Sequence, residues 1–110
     1  MSTDPVQRLR AICLALPGAE ERLSHGTPTW FVGGRQFAQI WDDHHGDGTL
    51  ALWCAAPVGA QEAMVEADPE RFFRPAYVGH RGWLGVRLDR DLEWDEVAGI
   101  VGAAHRHISR

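Results

Sequence analysis

The residues best suited to chemistry in this chain are guanidinium and indole groups gathered in one stretch. RPAYVGHRGWLGVRL, Arg74 to Leu88, sets Arg74, His80, Arg81 and Arg87 beside Trp83 and three glycines. Arginine offers a planar fork of N–H donors that matches phosphate oxygens bidentately. Indole offers a flat apolar surface on which another ring can stack. Glycine lets backbone N–H groups approach an anion with no Cβ in the way. Together these types suit an anionic, ring-bearing partner, and a nucleic acid is the plainest example. The same arginines can equally form a solvated surface paired with the chain's carboxylates, and both readings stay open here.

Charge distribution sharpens the contrast. The 110-residue chain has a formal net charge of -4 and contains no lysine. Between Pro69 and Arg90, five arginines (71, 74, 81, 87 and 90) face only Glu70 and Asp89, a local charge of +3. The rest of the chain therefore carries -7, so the asymmetry is more informative than the total.

Other chemistries find less support. Asp42-Asp-His-His-Gly-Asp47 contains metal-capable side chains but lacks the spacing of a calcium loop, and it reads as a polar turn. Cys13 and Cys54 lack the spacing of a zinc site or a disulfide framework and are expected to be buried thiols. His105 and His107 suit the C-terminal turn of a helix, where cations complement its dipole. There is no GxxxxGK[ST] or GxGxxG phosphate motif, and no nucleophile–base arrangement can be singled out. No catalytic residue, metal site or cofactor is expected, and the chain reads as a binding protein, not an enzyme.

The elements that must position these groups follow from punctuation and periodicity. Asp4-Pro5 starts a helix whose apolar positions are Val6, Leu9, Ile12, Cys13 and Leu16, ending at Pro17-Gly18. Glu20 to Gly26 reads as a polar turn. Thr29 to Val32 and Arg35 to Trp41 flank Gly33-Gly34, a strong hairpin signal. Thr49 to Ala55 reads as a third strand, and a second helix opens at Pro57. Two further strands are expected around Gly79 to Gly82, before a final helix from Trp94. The order α-β-β-β-α-β-β-α predicts one α+β domain over residues 1–110. Its sheet is expected to have five mostly antiparallel strands with the helices on one face.

Strand alternation then divides the side chains. Leu84, Val86 and Leu88 point one way, while Trp83, Gly85 and Arg87 point the other. Trp53 opposes Leu52 and Cys54, and Phe37, Gln39 and Trp41 share a side. An aromatic sheet face including Trp30, Phe37, Trp41, Trp53 and Trp83 can be a packed layer or dimer contact, a site for a planar aromatic ligand, or a base-stacking platform.

Leu16 to Glu21, His25 to Ala38 and Tyr77 to Asp89 resemble the MmcQ/YjbR family of small bacterial proteins, over nearly the whole chain. The most specific part is the Gly-x-Pro-x-Trp segment followed by the Gly-Gly hairpin and Phe-Ala. The resemblance implies a fold like that of CyaY and the secretion chaperones, and a DNA-binding role through two hairpin wings. The first wing would be the hairpin around Gly33-Gly34-Arg35; the second would be Val78 to Trp83, where Gly82 stands at a position that is histidine in many members. Weak, largely non-sequence-specific DNA binding would then use Arg35, Arg71, Arg74, His80, Arg81, Trp83 and Arg87. The alternatives are a protein that holds a small planar aromatic ligand and a protein-interaction module. A cytoplasmic monomer or homodimer without membrane association is expected, since no apolar run reaches membrane length and the N-terminus lacks a signal-peptide pattern.

Overall fold

A computed structural model of the chain describes residues 4–42, 48–90 and 93–109. Helix α1 spans Pro5–Leu14 and starts as the sequence predicts: the Asp4 side chain accepts a hydrogen bond from the Val6 amide at 2.9 Å. Four strands follow, β1 (Glu20–Ser24), β2 (Thr27–Val32), β3 (Arg35–Asp42) and β4 (Leu50–Cys54). Then come α2 (Ala60–Ala67), the two-residue β5 (Phe72–Phe73), a short 3₁₀ turn over Gly79–Arg81, β6 (Leu84–Arg87) and α3 (Trp94–Ile108). Asp43 to Asp47, within the polar run considered above, lie outside the described residues. No helix among the described residues is long and apolar enough to cross a membrane.

The sheet has six antiparallel strands in the order β1-β2-β3-β4-β6-β5, one more than expected. The additional strand is β1, whose polar residues were read as a turn. Its strand conformation comes from its neighbours. His25 and Gly26, both with positive φ, close a two-residue hairpin onto β2. Glu21 is fixed from two sides, by the Arg10 guanidinium of α1 at 2.8 Å and by the Trp30 indole N–H at 3.0 Å. Tertiary contacts here override local propensity. The Gly33-Gly34 turn, with φ of 59° and 79°, forms the expected hairpin between β2 and β3. Helix α2 starts at Ala60, later than expected, after a turn led by Pro57.

All three helices cover one face. The core there joins Leu9 and Cys13 of α1 and Val97, Val101, Ala104 and Ile108 of α3 to Trp30, Leu52, Cys54, Leu84 and Val86 of the sheet. Phe37 belongs to this core as well, against the simple alternation expected for β3. A bulge opposite Trp30 and Phe31 leaves Phe37 as the extra residue. Its ring meets the His105 imidazole of α3 edge-on at 5.3 Å. That imidazole is only 2.7 Å from the Pro17 carbonyl, which can only accept, so Nε2 carries the proton.

The opposite face carries no helix. One row of paired residues crosses the entire sheet there: Arg22, Thr29, Gln39, Trp53, Gly85 and Phe73. The uncharged polar side chains of this row, Thr29 and Gln39, are satisfied internally. The Gln39 amide donates to Thr29 Oγ1 at 2.8 Å and to the Ser24 carbonyl at 3.1 Å, and its own oxygen accepts from the Trp41 indole at 3.1 Å. Gly85 has a steric reason: a Cβ there would lie 2.4 Å from the Phe73 ring, which folds across the strand.

Candidate nucleic-acid interface

The connection between β5 and β6 carries most of the candidate site. Two strands with a tight turn are expected around Gly79 to Gly82, but β5 ends at Phe73 and residues 74–83 form an irregular loop. The second wing is therefore a short β5–β6 hairpin closed by a long folded loop in place of a tight turn. Pro75 and the glycines around the 3₁₀ turn explain this: proline withholds a ladder donor, and Gly82 takes a φ of 84°.

The loop is held at several points. Gln61, buried at the start of α2, donates to the carbonyls of Gly79 (2.9 Å) and Trp83. Gly79 packs so closely on Arg74 that a Cβ would sit 2.6 Å from its side chain. Near the middle, the Val78 amide returns to the Ala76 carbonyl at 2.6 Å, forming a γ-turn centred on Tyr77. Tyr77 has a φ of 65°, a conformation that bulky residues seldom adopt. The residue is 63% exposed, and its ring lies 6.3 Å from that of Trp53. Trp53 in turn lies 4.8 Å from Trp41, with the rings tilted by 34°.

The strand directions decide how the two wings relate. Val32 pairs with Arg35, Ala38 with Cys54, Cys54 with Leu84, and Gly85 with Phe73. The Gly33-Gly34 turn and the 74–83 loop therefore leave the same end of the sheet. In the strand order their midlines are three strand spacings apart, about 14 Å. The C-terminal turn of α3, bearing Arg106 and His107, reaches this end too, because Arg35 Nη1 donates to the Ile108 carbonyl at 3.4 Å.

The seven residues expected at a DNA surface separate into four groups. Arg35, Arg74, His80 and Arg81 are exposed at the common end, and none forms an ion pair among the described residues. Trp83 is buried beside them, with the Arg81 guanidinium 5.7 Å from its ring, so it supports the loop and offers no wedge. Arg87 lies on the helix-free face, stacked 4.9 Å over Phe73 and donating to the Glu70 carbonyl at 2.9 Å. Arg71 sits apart. Its guanidinium is clamped between Asp68 (2.8 Å) and Glu96 (2.7 Å), tying the end of α2 to α3, and those hydrogen bonds raise its pKa further. The sequence could not distinguish this structural arginine from its neighbours, because Glu96 is distant along the chain.

The expected aromatic ligand surface is also redistributed. Trp30 and Phe37 are fully buried on the helix side. Trp53 and Trp83 are buried as well, and Trp41 is partly covered. Tyr77, absent from that expected set, is the aromatic residue that the fold exposes over them. Its signal in the sequence was its position amid arginines and glycines. The apolar hollow between α2 and α3, about 410 Å³ and lined by Met64, Gly99 and Ile100, lies on the helix side, away from these rings. Among the described residues, no group of three or more His, Cys, Asp or Glu side chains is placed to hold a metal ion. The buried thiols of Cys13 and Cys54 are both pushed up in pKa by burial, that of Cys54 to about 12, so neither is an activated nucleophile.

Three helices backing one face of a six-stranded antiparallel sheet, with exposed arginines at one end, define a small α+β domain. The chain belongs to the YjbR family, whose model matches residues 14–107. Its structure is similar to the crystal structure of Deinococcus radiodurans protein DR2400, which carries a DUF419 domain. The two agree with a TM-score of 0.81 at 20% sequence identity, covering 99% of this chain and 83% of that one. A search of curated proteins finds no match.

Proposed function

We propose that this YjbR-family protein binds DNA weakly and largely without regard to sequence, through the end of the sheet from which both wings emerge. One observation carries the reading: Arg35, Arg74, His80 and Arg81 are exposed at that end without carboxylate partners among the described residues. Groups of this kind neutralise phosphates and release condensed counterions, so affinity falls steeply as salt rises. The backbone of the 74–83 loop is braced by Gln61 and by the close Gly79–Arg74 packing, so little loop ordering remains to oppose binding. The net charge of -4 opposes a tight complex and favours micromolar or weaker affinity.

Fluorescence anisotropy with labelled DNA, single-stranded and duplex, tests the reading across a range of salt concentrations. Wild-type protein is expected to bind at low ionic strength and to release DNA at moderately high salt. The doubly substituted Arg74→Ala/Arg81→Ala protein should bind more weakly, with a salt slope reduced by about 0.7 to 0.9 for each arginine removed. Absence of binding to either form at low ionic strength, or identical behaviour of wild type and variant, overturns it.

A further inference from the structure

We infer that the preferred form of nucleic acid is single-stranded, with an unpaired base stacking on Tyr77; this rests on the DNA-binding reading above. Tyr77 is the most exposed aromatic residue among those described, and the chain bends there through a γ-turn with positive φ. Strained conformations of bulky residues persist where the surrounding structure over-determines them, and they concentrate at functional sites. Trp53 and Trp41 extend behind Tyr77 as a continuous aromatic layer. Exposed aromatic rings beside a cationic track are the means by which proteins hold single strands without reading sequence.

The charges complete the match. Arg74 and Arg81 leave the same loop as Tyr77. Arg87 lies over Phe73, and Arg22 lies 4.1 Å over Phe31 towards the other edge of the same face. The cross-strand row from Arg22 to Phe73 spans five strand spacings, about 24 Å. A flexible single strand can lay phosphates near these arginines while turning a base onto Tyr77. In a duplex the base faces are already stacked on their neighbours, and exposing one costs unstacking energy.

The test compares an oligo(dT) single strand of roughly twelve nucleotides with a duplex of equal length at one low salt concentration. The single strand is expected to bind more tightly. Tyr77→Gly, which removes the ring and suits the positive φ, should weaken single-strand binding about fivefold or more and leave duplex binding unchanged. Tyr77→Phe should retain wild-type affinity, since stacking needs the ring and not the hydroxyl. Equal or tighter duplex binding, or equal loss for both forms in Tyr77→Gly, overturns the inference while leaving the broader reading intact. Failure of wild-type protein to bind either form overturns both.

Discussion

Single glycines in this chain differ in what they are for, and the difference gives opposite expectations for the same substitution. At Gly85 a methyl group would enter the Phe73 ring, with contacts of 2.4 to 2.7 Å. Gly85→Ala is expected to destabilise the fold by about 1–3 kcal/mol through overpacking, seen as a lower urea midpoint with an unchanged m-value. Gly99, exposed on α3, has nothing within 4 Å of the same methyl group. Gly99→Ala should stabilise by about 0.4–1 kcal/mol, because alanine leaves the unfolded chain with less conformational freedom to lose. A Gly99→Ala protein less stable than wild type would show that the groove beside α3 is closed in solution.

At the level of elements, Gln61 is the main fastening between α2 and the 74–83 loop. Gln61→Leu removes a donor that two loop carbonyls share. The loop amides are expected to lose hydrogen-exchange protection, while those of β3 and β4 keep theirs. On the proposed DNA-binding reading, affinity for DNA should fall with them, since Arg81 would no longer be held in place. Protection unchanged in residues 79–83 would show that packing, not Gln61, fixes the loop.

The elements also show what could be read from the chain. Helix α1, the Gly33-Gly34 hairpin and α3 were legible because Asp4-Pro5, paired glycines and apolar periodicity are local signals. Strand β1 was not, because the contacts that flatten Glu20–Ser24 come from Arg10 and Trp30 on other elements. Phe37 departed from alternation because a bulge needs both strands to be defined. The arginines of the candidate site were visible as residue types, but their roles were not. Arg71 became structural only when Glu96 arrived from α3, and Tyr77 sits exposed in a backbone conformation that composition does not encode.

For the whole molecule, alkaline pH is the informative perturbation. The chain has no lysine and a single tyrosine, so thiols are prominent among the groups that titrate between neutral pH and the arginine range. Burial raises both Cys13 and Cys54. An unfolded thiol ionises near pH ~8.5, whereas the folded one holds its proton to much higher pH. The unfolded state therefore gives up protons first, and stability declines as pH rises from about 8.5 towards 12. Below the unfolded value this contribution is constant. Urea unfolding measured across that window should show the decline, and a Cys13→Ala/Cys54→Ala protein should show a shallower one. Equal slopes would mean that the thiols are not the groups responsible.

The two outer strands have a consequence of their own. An exposed sheet edge invites a neighbouring chain to add a strand, the first step towards fibrils and precipitates. Here β5 offers only two residues of backbone, and β1 presents Glu20, Glu21 and Arg22 in succession. Neither edge makes a good template, so the protein should stay dispersed at concentrations where a longer, plainer edge would polymerise.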